Sequence, residues 1–298
     1  MKKWLRWTAS GFAAAALLAA GAVWGGLQLA EQRMLRKVEV AVPPLALRTD
    51  APSLERGKYL FESRGCVDCH GASGAGRLFA DDGKGLRIKG PNITAGVGSV
   101  VAQYQPQDWD RAIRHGVAAN GRPLLVMPSE DYNRFTNADL AALVSYVVAL
   151  PPVKGGPGEV SLPLVARVMY GFGAIRDAAG KIDHALPPPQ PVAEAVTPQH
   201  GAYVANMCIG CHGAQLTGGR IPGTPPDWPP ASNLRPGDGS AMARYADAEA
   251  LQRLFNTGKR PDGTPVKVMP FESLRAISDT DVRALHLYLR SLPPVNKA

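Results

Sequence analysis

Cys66-Val67-Asp68-Cys69-His70 and Cys208-Ile209-Gly210-Cys211-His212 repeat one pattern, C-x-x-C-H, and together use all four cysteines of the chain. This spacing is an attachment pattern for c-type haem. Two cysteines three positions apart can each form a thioether with one vinyl group of a single porphyrin. The histidine beside the second cysteine then lies over the iron and supplies an axial nitrogen. A disulfide pair, a thioredoxin-like C-x-x-C or a four-cysteine zinc site could also use the cysteines. None of these accounts for a histidine after both pairs. With the thiols committed to thioethers, no disulfide is expected, so cysteine usage does not report the redox compartment.

The chain is a tandem duplication. Cys66 and Cys208 are 142 residues apart, and so are Met127-Pro128 and Met269-Pro270. Asp139 with Asp281, Tyr146 with Tyr288, and Leu150-Pro151-Pro152-Val153 with Leu292-Pro293-Pro294-Val295 keep the same offset. A period this long is the size of a whole small domain rather than of a solenoid repeat.

These residues need elements to hold them. The first unit spans 53–153. It opens with a helical pattern over 54–63 and closes with a helix over 136–150. Thr136 with Asp139 forms a capping box there, Leu140, Leu143, Val144 and Val147 form the apolar stripe, and Pro151-Pro152 stops it. The second unit, 197–298, repeats this with Ser278 and Asp281, then Val282, Leu285 and Leu289, then Pro293-Pro294. Residues 38–52 read as a tether. Residues 154–196 read as a Pro-rich linker, with an apolar piece from Leu162 to Ile175 expected to pack across the two units.

Residues 1–37 form an N-terminal anchor with its flanks. No charged residue occurs from Trp7 to Ala30, long enough for one transmembrane helix. Trp7 and Trp24 suit the two interfaces. A cleaved signal peptide is the competing reading, with Ala20-Gly21-Ala22 as an A-x-A site. The apolar character continues past that site to Ala30, which favours a retained anchor.

The 298 residues include 32 Gly and 27 Pro, and only 7% are aromatic, so the chain is rich in loops and poor in large core side chains. A buried haem in each unit would supply apolar core. The net charge is +8, but the basic residues are scattered, which argues against nucleic acid. A solvated surface explains them better than a docking face for an acidic partner.

Each half resembles a class I cytochrome c domain: an opening helix, C-x-x-C-H, a loop with an axial methionine, and a closing helix that crosses the first. The expected fold is therefore all-α, with two such domains in tandem behind one transmembrane helix. In that family a Gly and an aromatic of the first helix pack on a Leu and Tyr of the last. Gly57, Phe61, Leu143 and Tyr146 match, as do Gly201, Leu285 and Tyr288; Tyr203 stands off the aromatic position. Gly90-Pro91-Asn92-Ile93 resembles the loop whose proline carbonyl accepts a hydrogen bond from the ligand histidine. Ala231-Ser232-Asn233-Leu234 takes that place in the second half without the proline. The Gly-Pro-Asn-Ile-Thr loop and the Leu-Pro-Pro-Val ending also resemble the cytochrome subunits of bacterial membrane-bound alcohol and aldehyde dehydrogenases.

The resemblance implies two covalently bound haem c groups, attached at Cys66, Cys69, Cys208 and Cys211, with His70 and His212 as proximal iron ligands. Met127 is the one methionine between His70 and the end of the first unit. Of Met242 and Met269 in the second, only Met269 keeps the offset and the following proline. Met127 and Met269 are thus the expected sixth ligands. His115 and His286 are the rivals; His184 and His200 are expected at the surface. Haem attachment of this kind takes place outside the bacterial cytoplasmic membrane, which puts both domains on the periplasmic side of a single-pass inner-membrane protein.

A His/Met pair fills both axial positions and raises the reduction potential. The expected function is electron relay rather than catalysis. The donor would be a periplasmic or membrane-bound dehydrogenase or a quinol-oxidising complex, and the acceptor an oxidase or soluble cytochrome. A two-haem peroxidase or related haem enzyme is the alternative. It needs one iron with an open site, against which the paired methionines argue.

Overall fold

The computed structural model describes residues 2–225 and 227–295. It begins with the 34-residue helix α1, Lys2–Leu35. The first domain contains α2 (Ala51–Ser63), α3 (Cys66–His70), α4 (Pro106–His115), α5 (Ser129–Tyr132) and α6 (Asn137–Ala149). Helix α7, Leu164–Gly171, lies in the connection. The second domain contains α8 (Pro198–Ala205), α9 (Ile209–His212), α10 (Ala248–Thr257), α11 (Phe271–Leu274) and α12 (Asp279–Ser291).

Local chemistry sets these boundaries. The Asp50 carboxylate accepts from Ser53 N–H at the start of α2, and the Thr197 hydroxyl from His200 N–H at α8. The Thr136 and Ser278 hydroxyls accept from Asp139 and Asp281 N–H, starting α6 and α12 where the capping pattern predicts. A Leu-Pro-Pro run follows each of those helices.

The framework of each domain is one crossing of helices, α2 on α6 and α8 on α12. The crossings are close enough to require glycine. A Cβ on Gly57 would overlap the Ala142 carbonyl, and one on Gly201 would overlap the Ala284 carbonyl. Phe61 packs beside Tyr146 with ring centroids 5.6 Å apart. Leu60, Phe61, Leu140, Leu143 and Val144 centre the first core; Val204, Leu251, Phe255, Val282 and Leu285 centre the second. Gly201→Ala should force the helices apart at a cost of about 1–3 kcal/mol. Thermal unfolding should show it as a lowered midpoint, while alanine at Gly156, whose φ is ordinary and whose surroundings are open, leaves the packing intact.

Three features depart from the helical expectation. Strands β1 (Leu78–Asp81), β2 (Arg87–Lys89) and β3 (Glu159–Ser161) form a small antiparallel sheet in that order. The β1–β2 hairpin turns because the Asp82 carboxylate accepts from Lys84 and Leu86 N–H, with Gly83 and Gly85 at positive φ. The linker supplies β3, so it is stitched to the first domain. Next, residues 38–52 are bound along their length rather than free: Val38 N–H donates to Gly121 O, Val40 packs with Val117 and Ala179, Leu45 enters the first core, and Arg48 N–H donates to Ser145 Oγ.

The last departure concerns α7. It packs against the C-terminal part of α1 rather than across the two domains. Gly26 of α1 and Gly171 of α7 meet so closely that a Cβ on Gly171 would overlap the Gly26 carbonyl. Small residues let helices approach in this way. Arg36, just past α1, then forms a two-pronged ion pair with Asp177, at 2.7 and 2.6 Å. Tyr170 donates to the same carboxylate.

Candidate haem sites

In the first domain, α2 delivers the chain to Gly65, whose positive φ turns it into the attachment helix α3. In the second, a 3₁₀ turn at Asn206–Cys208 leads directly into α9. Cys66, Cys69 and Cys208 are half-buried and Cys211 is exposed; all four thiols are free. Burial pushes the thiols of Cys66 and Cys208 up to about 12 and those of Cys69 and Cys211 up to about 11, so they are held as neutral thiols.

His70 Nδ1 donates to Pro91 O at 3.0 Å, the contact expected from the Gly-Pro-Asn-Ile loop. His212 Nδ1 donates to Ser232 O at 2.8 Å. A carbonyl can only accept, so it fixes the tautomer and leaves Nε2 with its lone pair. The serine works as well as the proline because the backbone supplies the acceptor. The loops also share their internal bonds: Asn92 Oδ1 accepts from Thr94 N–H and Asn233 Oδ1 from Arg235 N–H, each at 2.9 Å. Burial holds both imidazoles below the usual histidine range, opposed in part by the carbonyl bonds.

The methionines are placed alike. Ser129 N–H donates to Met127 O and Phe271 N–H to Met269 O, both at 2.9 Å, so each sulfur-bearing residue sits in the same tight turn before α5 or α11. Cys66 and Met127 border the first core, and Cys208 and Met269 border the second. Each domain thus carries a pair of cysteines beside an imidazole whose Nε2 is left free, and a methionine that borders the same core as the first cysteine. That donor set fits a haem c in each domain.

The remaining candidates are committed elsewhere. His115 Nδ1 lies 3.0 Å from His184 Nδ1, and burial, the largest influence, drops His115 to about 4. His286 Nε2 donates to Tyr245 O at 2.9 Å. Met242 is buried in the second core. His200 is not at the surface: it is 1% exposed, and its Nε2 donates to Asp281 at 2.6 Å. His184 is half-buried through its bond to His115.

The two sites share an interface whose contacts come in reciprocal pairs. The Tyr59 hydroxyl of α2 accepts from Ser278 N–H and donates to Asp281 at 2.5 Å, at the start of α12. The Tyr203 hydroxyl of α8 accepts from Thr136 N–H and donates to Asp139 at 2.6 Å, at the start of α6. Tyr203 is therefore the counterpart of Tyr59; Ala205 stands four residues after Gly201, where the first domain has Phe61. Arg64, 3% exposed, pairs with Asp281, and Arg56 grips Asp139 with two bonds. The attachment helices are tied the same way: Gly210 N–H donates to Asp131 beside α9, and Ser273 Oγ donates to Asp68 within α3. Composition and spacing did not expose this contact set, because its residues are distant in sequence. The one visible signal was a tyrosine two residues after each helix-crossing glycine.

Comparison with known proteins agrees with this geometry. Residues 52–147 match the family described as cytochrome c oxidase, cbb3-type, subunit III, and residues 200–293 match the family cytochrome c. The fructose dehydrogenase cytochrome subunit of Gluconobacter japonicus is 27% identical over 84% of this chain and 54% of its own length. The gluconate 2-dehydrogenase cytochrome c subunit of Pantoea cypripedii is 28% identical over 80% and 59%. The cytochrome c subunit of alcohol dehydrogenase (quinone) from Gluconacetobacter polyoxogenes is 27% identical over 84% and 58%. The chain thus spans somewhat more than half the length of these relatives. All three are cytochrome subunits of dehydrogenases, and a cytochrome subunit serves electron transfer.

Proposed function

Because the chain carries two cytochrome c domains and is homologous to cytochrome subunits of fructose, gluconate and alcohol dehydrogenases, we propose that it accepts electrons from a dehydrogenase or quinol-oxidising partner and delivers them to a respiratory acceptor. Haem c, once attached, supplies a one-electron couple in each domain. Cys66 and Cys69 hold one group, Cys208 and Cys211 the other. His70 and Met127 would supply nitrogen and sulfur to the iron in the first domain, and His212 and Met269 in the second. The carbonyls of Pro91 and Ser232 orient the imidazoles.

The observation that carries this reading is the repetition of the arrangement: a carbonyl-held imidazole, a half-buried first cysteine, and a methionine in the same turn bordering the same core. The cross-ties between α3 and α11 and between α5 and α9 support a relay, since they fix both attachment sites on one interface.

Place follows from α1, which is long and apolar enough to cross a membrane. Its N-terminal part stands clear of the body, with Trp4, Trp7 and Trp24 exposed. The uncharged stretch 7–30 extends about 36 Å, enough to cross the ~30 Å of a bilayer's hydrocarbon. This helix anchors the chain, and both domains face the periplasm. The units are 1–37, the bound strap 38–52, 53–153, the connection 154–196, and 197–298.

Mass spectrometry of the full chain should show two added haem groups, falling to one in Cys66→Ala/Cys69→Ala. The ferric spectrum should carry the weak far-red band of sulfur ligation, and carbon monoxide should bind the reduced protein slowly. Rapid, stoichiometric binding at one haem would instead mark an open iron and an enzyme. A mature N-terminus at Val23 would remove the anchor while leaving electron transfer untouched.

A further inference from the structure

We infer that α7 and the arginines at the base of α1 form a phospholipid site, with α7 lying in the outer membrane–water interface and the arginines holding an anionic headgroup. The inference rests on α1 spanning the membrane.

Two independent observations point to lipid. The first is the apolar face of α7. Val165 and Phe172, seven residues apart on one stripe, are 68% and 56% exposed, and Leu164 beside them is exposed as well. Val168, between them on that stripe, and Phe172 lie where a Cβ on Gly26 would meet them. The stripe therefore continues the apolar surface of α1. Arg167, about 200° around the helix from Val165, is exposed on another face. Trp24 lies one half-turn before Gly26, so α7 meets α1 at the depth where an interfacial tryptophan resides. A short helix with this division of faces belongs in the plane of the interface.

The second observation is charge. Next to α7 on the body side, a cavity of about 500 Å³ is lined by Leu29, Gln32, Arg33, Arg36, Tyr170 and Arg176 among others. Asp177 balances Arg36. Arg33 and Arg176 have no carboxylate partner among the described residues, and the Arg33 guanidinium lies over the turn at Gly173. Two uncompensated cations beside an apolar stripe complement a phosphate whose acyl chains run along α1 and α7. Each basic residue near an anionic surface contributes favourably to such binding.

The test uses the full, haem-loaded chain in nanodiscs of phosphatidylcholine with and without phosphatidylglycerol. Nitroxide labels go on Val165→Cys, Phe172→Cys, Leu18→Cys in mid-α1, and Leu186→Cys on an exposed loop. With the haems reduced, the labels at 18, 165 and 172 should collide with oxygen, and the label at 186 with a water-soluble nickel complex. Native mass spectrometry should find phosphatidylglycerol retained, with retention falling on the order of tenfold in Arg33→Gln/Arg176→Gln. Haem content reports folding of each variant. Labels at 165 and 172 that behave like 186, while 18 is in lipid, overturn the inference and leave the anchor intact. A water-exposed label at 18 overturns both. Lipid retention unchanged in the double variant, or recovery of a quinone in place of phospholipid, overturns the headgroup site.

Discussion

Met127→His should lower the midpoint potential of one haem on the order of a hundred millivolts and leave the other nearly unchanged; Met269→His should do the same to the second. Axial ligands set haem potentials over about 0.8 V, and replacing thioether sulfur by a second imidazole moves the couple downward. The effects should be separate because Met127 borders only the first core and Met269 only the second. The tight turn at Met-Pro is kept in each variant, since its hydrogen bond uses the residue's backbone carbonyl. A redox titration reads both couples at once. If Met127→His moves neither, the sulfur is misassigned, and His115→Ala is the variant to measure next.

The largest expected loss of stability comes from Asp281→Ala. Asp281 is fully buried and is approached by Arg64, His200 and Tyr59, so its removal leaves the Arg64 charge buried and unmatched. Breaking a buried pair in this way costs about 3–5 kcal/mol, and Asp281→Ala/Arg64→Met should recover much of it. Denaturant unfolding measures both. A double variant as unstable as the single one would show that shape rather than charge holds the interface. The pair also carries a pH dependence. Burial alone would raise the Asp281 carboxyl, but the Arg64 charge and the Tyr59, Arg64 and His200 hydrogen bonds bring it below the usual carboxylate range. Asp139 is lowered in the same sense, burial again being outweighed by Arg56 and Tyr203. A depressed folded value adds stability that is present above the unfolded carboxylate value, about 3.9, and is lost as pH falls through the folded one. Acid should therefore loosen the interface below about pH 4, and Asp281→Ala should lose part of that acid limb.

The attachment motifs, the capped closing helices and the Met-Pro turns were legible because each is encoded within a few residues. Gly57 and Gly201 were legible through the resemblance to class I cytochrome c domains, and the close helix crossing, which admits no other side chain, is the physical reason they stand there. Tyr203 was not. From the cysteine motif to the closing helix the two halves run at an offset of 142, but the opening helices align at 144. Gly57 and Cys66 are nine positions apart and Gly201 and Cys208 seven, since Met207 alone, in the 3₁₀ turn of the second half, stands where the first has Ser63-Arg64-Gly65. The strap showed the same limit. Val38, Val40 and Val42 alternate as a strand would, but Pro43-Pro44 cut the run short and nothing in the sequence names its partner, so only the docked structure reveals that Val40 and Leu45 are bound. The α7 segment was visible as apolar, but its partner was set by Gly26 and Gly171, two residues 145 positions apart.

The exchanged tyrosines have one more consequence. Tyr59 reaches Asp281 as Tyr203 reaches Asp139, which is the contact rule of an isologous dimer, where residue i meets j and j meets i. The chain is a fused homodimer in its geometry, with the dyad between the two halves. Fusion frees what a true dimer cannot vary, because a mutation in a homodimer is made twice. Here Arg56 of the first half has His200 as its counterpart in the second, Phe61 has Ala205, Pro91 has Ser232 and Asp131 has Ser273. Each departure changes one half and leaves its counterpart as it was, so two halves built on one plan can come to differ in potential.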